Sequence, residues 1–207
     1  MTRSTKRGTQ GNKARSTSTS SRLRSYHQGV AKSNEWPRRV GIASAAAIVL
    51  LLVGVVALNS PPVRGVPDGT EVVAVDPPTH VEGDIHDEGE VPAGGAHSAA
   101  WQNCGFYETE IRSENAVHSL EHGAVWITYR PDLPPNQITQ LASLVNRQDK
   151  ILVSPVSGQG AAVIATAWAN QLELDDANDG RLQQFINEFE GSLSAPEPGG
   201  LCSGGVG

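Results

Sequence analysis

Asn115-Ala-Val-His-Ser-Leu-Glu-His-Gly-Ala-Val-Trp-Ile-Thr-Tyr129 places two imidazoles, His118 and His122, and a carboxylate, Glu121, within five residues. Directly after them, Ala124-Val-Trp-Ile-Thr-Tyr129 carries β-branched and aromatic side chains without a charge, and it reads as a buried strand. Ligand-type side chains at the mouth of a rigid strand point to a site rather than to a surface loop. On a helix, positions i and i+4 share a face, so His118 and His122 can grip one ion. The string His118-Ser-Leu-Glu-His122 also has the H-x-x-E-H form of inverted zinc peptidases. That motif needs a long helix, however, and here Gly123 and the strand cut the helix short.

Outward from the strand, Pro131-Asp-Leu-Pro-Pro135 punctuates the chain, and a helix begins at Asn136 or Thr139. Ile138, Leu141, Leu144 and Val145 lie on one face of it. Ile151-Leu-Val-Ser-Pro155 and Ala162-Val-Ile-Ala-Thr-Ala-Trp168 read as two more buried strands. A second helix runs from Asp179 to Phe189, with Leu182, Phe185, Ile186 and Phe189 as its apolar stripe. Upstream, Thr70-Glu-Val-Val-Ala-Val75 reads as a short strand, and the residues between His80 and Trp101 read as loop. The order strand–helix–strand–strand–helix predicts an α+β fold, a small sheet with helices on one face.

The first part of the chain is different in kind. Residues 1–39 are rich in Ser, Thr, Lys, Arg and Gly and hold ten of the 16 basic residues and one acid, Glu35. They bury too little apolar surface to offset ordering entropy, so a disordered cytoplasmic tail is expected. Its charge suits anionic lipid headgroups; nucleic acid is the less economical partner. Residues 40–58 form an unbroken uncharged run, about 28 Å long as a helix at ~1.5 Å per residue, close to the thickness of a bilayer core. A cleaved signal peptide is the rival reading. The length of the run, its long basic leader and the poor cleavage site at Ala-Leu-Asn-Ser60 favour an uncleaved transmembrane helix. The tail carries +9 and the part after residue 58 carries −15, which together make the net charge of −6. By the positive-inside rule the acidic part lies outside. Residues 59–79, with Pro61-Pro62, Pro67 and Pro77-Pro78, read as a stalk, and residues 80–207 as an extracytoplasmic domain.

Both cysteines, Cys104 and Cys202, fall on the external side, where an oxidising compartment favours a disulfide. Such a bridge pins the Gly-rich C-terminus to the region of Trp101. Five of the six histidines are also external: His80, His86, His97, His118 and His122. Imidazole suits zinc and copper, and neutral His and ionised Glu coordinate without first losing a costly proton. The competing reading makes these histidines structural, each satisfied by a backbone carbonyl. Gly94-Gly-Ala-His97 offers a close backbone approach to a ligand. Trp101, Tyr107 and Trp126 are candidate pocket walls, although aromatics serve more often as core. Asp84, Asp87, Glu88 and Glu90, around His86, read as a solvated loop. No nucleophile elbow, phosphate loop or dinucleotide fingerprint occurs.

From His80 onward the chain resembles a bacterial membrane-anchored family, the domain-of-unknown-function 3105 family. The resemblance lies in His80-Val81 with Gly83, Gly94-Gly95 with His97, and Trp101-Gln-Asn-Cys-Gly105 with Tyr107. It continues through Glu114-Asn-Ala-Val-His-Ser-Leu-Glu-His-Gly-Ala-Val-Trp-Ile-Thr-Tyr-Arg-Pro131, Ser154-Pro155, Ala167-Trp168, Pro196-Glu-Pro-Gly199 and Cys202 with Gly204-Gly205. It implies a basic tail, one membrane helix and an external domain, and it brings no activity, substrate or cofactor. His80, His97, His118 and His122 fall on the family pattern. His86 stands where an aromatic is more usual and is dropped from the site. Ala96 stands where the family usually has a proline.

The expectation is therefore a single-pass protein of the bacterial plasma membrane, with its N-terminus in the cytoplasm. Its external domain binds a transition metal, zinc or copper, through His118, His122, His97 and His80. Glu121 acts as ligand or as orienting partner. The alternatives are a non-catalytic module that meets another cell-envelope protein, with structural histidines, and a metal-dependent hydrolase. The residues name no substrate and no catalytic group.

Overall fold

A computed structural model describes residues 48–51, 65–145 and 150–207 of the chain. Residues 48–51 are helical and exposed. The expected tail and the remainder of the apolar run at 40–58 lie outside the described residues. No helix among the described residues is long and apolar enough to cross a membrane.

The strand read from the sequence forms as β5 (Val125–Tyr129), and all five of its residues are buried. It pairs in parallel with β6 (Ile151–Pro155) and antiparallel with β7 (Val163–Ala167). β7 turns directly into β8 (Asn170–Leu174), its antiparallel neighbour. Two-residue strands finish the edges: β1 (Glu71–Val72) beside β8, and β4 (Gly105–Phe106) beside β6. The six-stranded order is β1-β8-β7-β5-β6-β4. A separate parallel pair joins β2 (Thr79–His80) to β3 (Ala96–His97), with His80 opposite His97.

Alternation along β5 assigns its side chains to two cores. Val125, Ile127 and Tyr129 face a large cluster with Leu141 and Leu144 of α2 (Pro135–Val145) and Leu182, Phe185, Ile186 and Phe189 of α3 (Gly180–Phe189). Pro135 opens α2 at the position where a missing N–H costs nothing. The Asp179 carboxylate caps α3 by accepting from the Arg181 amide at 2.9 Å. On the opposite face, Trp126 and Leu152 pack against Ala116 and Leu120 of α1 (Ser113–Glu121).

The fold is α+β as expected, but its helices do not lie on one face. α2 and α3 cover one side and α1 the other. The physical reason is the sequence of β5, apolar at nearly every position, which needs cover on both faces where an alternating strand needs it on one. Two further expectations are revised. β8 was not anticipated, since Asn170 and Gln171 mask the alternation that buries Leu172 and Leu174. The expected stalk does not run free up to residue 79. The Gly65 amide donates to Glu188 at 2.7 Å, and β1 adds a strand to the sheet.

Phe185 has no solvent exposure and lies 4.5 Å, centroid to centroid, from Phe189. Phe185→Ala is expected to lower folding stability by about 3–5 kcal/mol. A urea or guanidinium midpoint that does not move would show that this face is not the main core.

Candidate metal centre

Helix α1 ends three residues before β5 begins, and a tight cap makes that possible. The Gly123 amide donates to Leu120 O and the Ala124 amide to Ser119 O, both at 2.9 Å. Gly123 takes φ 87°, a left-handed conformation open to glycine. One side of α1, with Ala116 and Leu120, is committed to the sheet. His118, Glu121 and His122, spaced i, i+3 and i+4, project together from another side. All three are buried, at 5%, 4% and 6% exposure.

Each helical imidazole is aimed by a main-chain carbonyl. His118 Nδ1 lies 2.8 Å from Ser98 O, and His122 Nδ1 lies 2.7 Å from Leu201 O. His97, fully buried on β3, places its Nδ1 2.8 Å from Gly95 O. A carbonyl only accepts, so in all three rings Nδ1 carries the hydrogen and Nε2 turns inward. The inward atoms then meet one another. His97 Nε2 is 2.9 Å from Glu121 Oε2, and His118 Nε2 is 3.1 Å from His122 Nε2. His80 joins from β2, its Nε2 3.8 Å from Glu121 Oε2 and its ring stacked on His118 at 5.0 Å.

Donor atoms of His80, His97, His118 and Glu121 all lie within 4.8 Å of one another. This His3Glu cluster could hold a metal ion. Two ligands ~2.0–2.1 Å from one ion are about 2.9 Å apart at a right angle and about 3.4 Å apart in a tetrahedron. Within the cluster the His97 Nε2–Glu121 Oε2 pair, at 2.9 Å, matches the right-angle separation, and the His80 Nε2–Glu121 Oε2 pair, at 3.8 Å, is wider than either. Burial holds the His118 imidazole below its ordinary pKa; the Ser98 carbonyl and Glu121 oppose this, and His122 and His97 reinforce it. Its Nε2 lone pair is therefore available near neutral pH.

Of the five residues expected to meet, four form the cluster, and His122 stands beside it through His118. His122 also faces Glu197 Oε2, at 3.7 Å. His86 lies elsewhere, 3.6 Å from Glu90. Among the expected pocket walls, Trp101 does line the histidines, with its ring 5.8 Å from His118 and 5.4 Å from His122. Trp126 does not: it is fully buried in the core, its indole N–H donating to Ser154 Oγ at 3.0 Å. Tyr107 packs on the same core and donates to Asn103 O at 2.8 Å.

A C-terminal strap, unexpected as part of the site, closes over it. The Glu197 amide donates to Glu121 O at 3.0 Å, and the Val206 amide to Trp101 O at 2.9 Å. Gly200 lies so close to the His122 ring that a Cβ there would overlap it. The Cys104–Cys202 disulfide anchors the strap, with its Cα atoms 5.2 Å apart. Pro196-Glu-Pro-Gly199 was the available signal in the sequence, but nothing local says which histidine it covers.

The chain matches, over residues 80–204, the family described as protein of unknown function (DUF3105). It belongs to that family. No curated protein and no solved structure matches the chain. The matched stretch contains every ligand of the His3Glu cluster, and both cysteines. Membership in DUF3105 assigns the chain no chemistry.

Glu114, in the first turn of α1, secures the loop that leads from β2 toward β3. Its Oε1 accepts from the amides of Ile85 at 2.7 Å and His86 at 3.2 Å, and Arg112 Nε is 3.2 Å from Oε2. Burial pushes this carboxyl up, but the Ile85 amide, its own amide, the His86 amide and Arg112 together hold it below its ordinary value. A depressed carboxyl adds stability above its unfolded pKa of about 4.3 and loses that contribution as pH falls through the folded value. Glu114→Gln is expected to cost about 1–3 kcal/mol at pH 7. The gap to wild type should narrow below about pH 4, as unfolding at a series of pH values would show. Removing the disulfide as Cys104→Ser with Cys202→Ser should cost about 2–5 kcal/mol. Thermal unfolding measures this, and an unchanged midpoint would mean the strap holds without it.

Proposed function

We propose that this domain binds one transition-metal ion of the zinc or copper class through His80, His97, His118 and Glu121. The observation that carries the reading is the inward meeting of lone pairs. The Nδ1–H groups of His97 and His118 are committed to carbonyls, so their Nε2 atoms turn inward, that of His97 to a carboxylate oxygen at 2.9 Å, and the four donor atoms lie within 4.8 Å of one another. Facing acceptors repel unless a positive charge lies between them, and a divalent ion satisfies several pairs at once. Fixing one ring nitrogen to leave the other for a metal is how proteins orient histidine ligands.

The carboxylate favours binding over hydrolysis. In the H-x-x-E-H reading Glu121 serves as general base, free of the imidazoles. Here its Oε2 lies among the inward nitrogens, 2.9 Å from His97 and 3.8 Å from His80. We place this domain outside the cytoplasmic membrane, anchored by residues 40–58 with the basic tail inside. The charge asymmetry along the chain and the disulfide support that placement.

The test is metal analysis of the purified full-length protein, followed by titration with Zn²⁺ and Cu²⁺ against a competing chelator. One ion per chain is expected. His97→Ala and His118→Ala should each weaken binding by about a hundredfold or more, with circular dichroism reporting a retained fold. Wild-type protein that takes up neither ion would leave the histidines structural.

A further inference from the structure

The ligands of the His3Glu cluster are not equivalent. His97 and Glu121 have side chains 0% and 5% exposed, whereas the His80 side chain is 50% exposed. The His97 and His118 rings are each pinned through Nδ1 to a carbonyl. Among the described residues the His80 ring has no main-chain anchor. It is carried by β2, a two-residue strand with both residues exposed, held beside β3 and by the Val81 amide donating to His97 O at 2.8 Å. The rest of the set sits on α1 and on a buried residue of β3. One ligand can therefore swing into solvent while the other three stay in place.

Of the four side chains in the cluster, His80 is the one that reaches solvent. Trp101 and the C-terminal strap cover the His122 side, and Trp168 stands edge-on to His97 at 6.1 Å. Two roomy clefts occur on the domain, and the larger borders the start of β3 through Gly94, Gly95 and Ala96. One, of about 470 Å³, is lined by residues such as Asp76, Glu90 and Gly95, and the other, of about 370 Å³, by Glu108, Tyr129 and Pro155. Neither includes His80, His97, His118 or Glu121. The exposed side of the cluster is the one the His80 ring occupies, with its side chain 50% exposed.

We propose that the centre exchanges its ion, and that His80 is the ligand that opens to let a divalent transition-metal ion enter and leave. The proposal rests on the metal-binding reading above. In the exchange step the bond from His80 Nε2 to the ion breaks as a bond from an incoming donor forms. No electron is transferred, and His97, His118 and Glu121 hold the ion until the incoming group supplies further donors. A fixed trio with one labile ligand lowers the barrier to exchange without demanding that the fold open.

The test follows release of Zn²⁺ from the loaded full-length chain into excess chromogenic chelator by stopped flow. In wild type the rate should level off as chelator rises, because opening of His80 becomes limiting. His80→Ala and His80→Asn should still bind one ion, release it about tenfold faster or more, and lose the plateau. His97→Ala should bind about a hundredfold more weakly or worse, and so load little ion. Release from both His80 variants at the wild-type rate with the wild-type plateau would overturn the proposal. So would His80 variants as empty as His97→Ala, since His80 would then be an obligatory member of a closed site. A wild-type chain that never loads overturns the metal reading itself, an outcome distinct from wild type that loads but exchanges without regard to His80.

Discussion

Burial of β5 on both faces is the constraint on which the rest of this domain depends. The strand has no exposed position, and it lies between a parallel and an antiparallel neighbour in the sheet. Covering only the face of Val125 and Ile127 would leave Trp126 in water, at a cost of about 2–3 kcal/mol for a large apolar side chain. Helix α1 supplies the second cover. Because α1 enters β5 through a three-residue link, its last turn is held at the rim of the sheet. The same packing that buries Leu120 therefore presents His118, Glu121 and His122 at one place.

The site is then completed by pieces distant in sequence. His97 and His80 arrive side by side on a parallel pair, and the C-terminal strap brings Leu201 O to His122 and the Glu197 amide to Glu121 O. The strap contributes little core of its own, with Leu201 66% exposed. A covalent link substitutes for packing there, since a disulfide limits the freedom of a segment that buries too little to hold itself. Two kinds of restraint thus meet at the histidines: a rigid one from helix and sheet, and a tethered one from the C-terminus.

Rigidity has a chemical consequence. Buried imidazoles with Nδ1 committed to a carbonyl are fixed in orientation, so the Nε2 atoms of His97 and His118 stay turned inward, that of His97 onto Glu121. Burial also disfavours the competing proton on His118. The exposed His80 has neither that burial nor, among the described residues, a carbonyl anchor, which sets it apart from the other three.

Much of this was legible in the residues alone. Local pattern determines β5, β6, β7, α2 and α3, because each carries its own apolar period and its own punctuation by Pro, Gly or Asp. The histidines and Glu121 could be named as ligands from side-chain chemistry, and the two cysteines as partners because the chain holds no others. Tertiary structure alone decided that α1 lies on the opposite face from α2 and α3, that Trp126 is core while Trp101 borders the site, and that residues 65–79 belong to the domain. It also decided which carbonyl orients each ring. The physical reason is range: periodicity and side-chain chemistry act over a few residues, whereas the meeting of residues 80, 97, 118 and 201 is set by how the layers pack around β5.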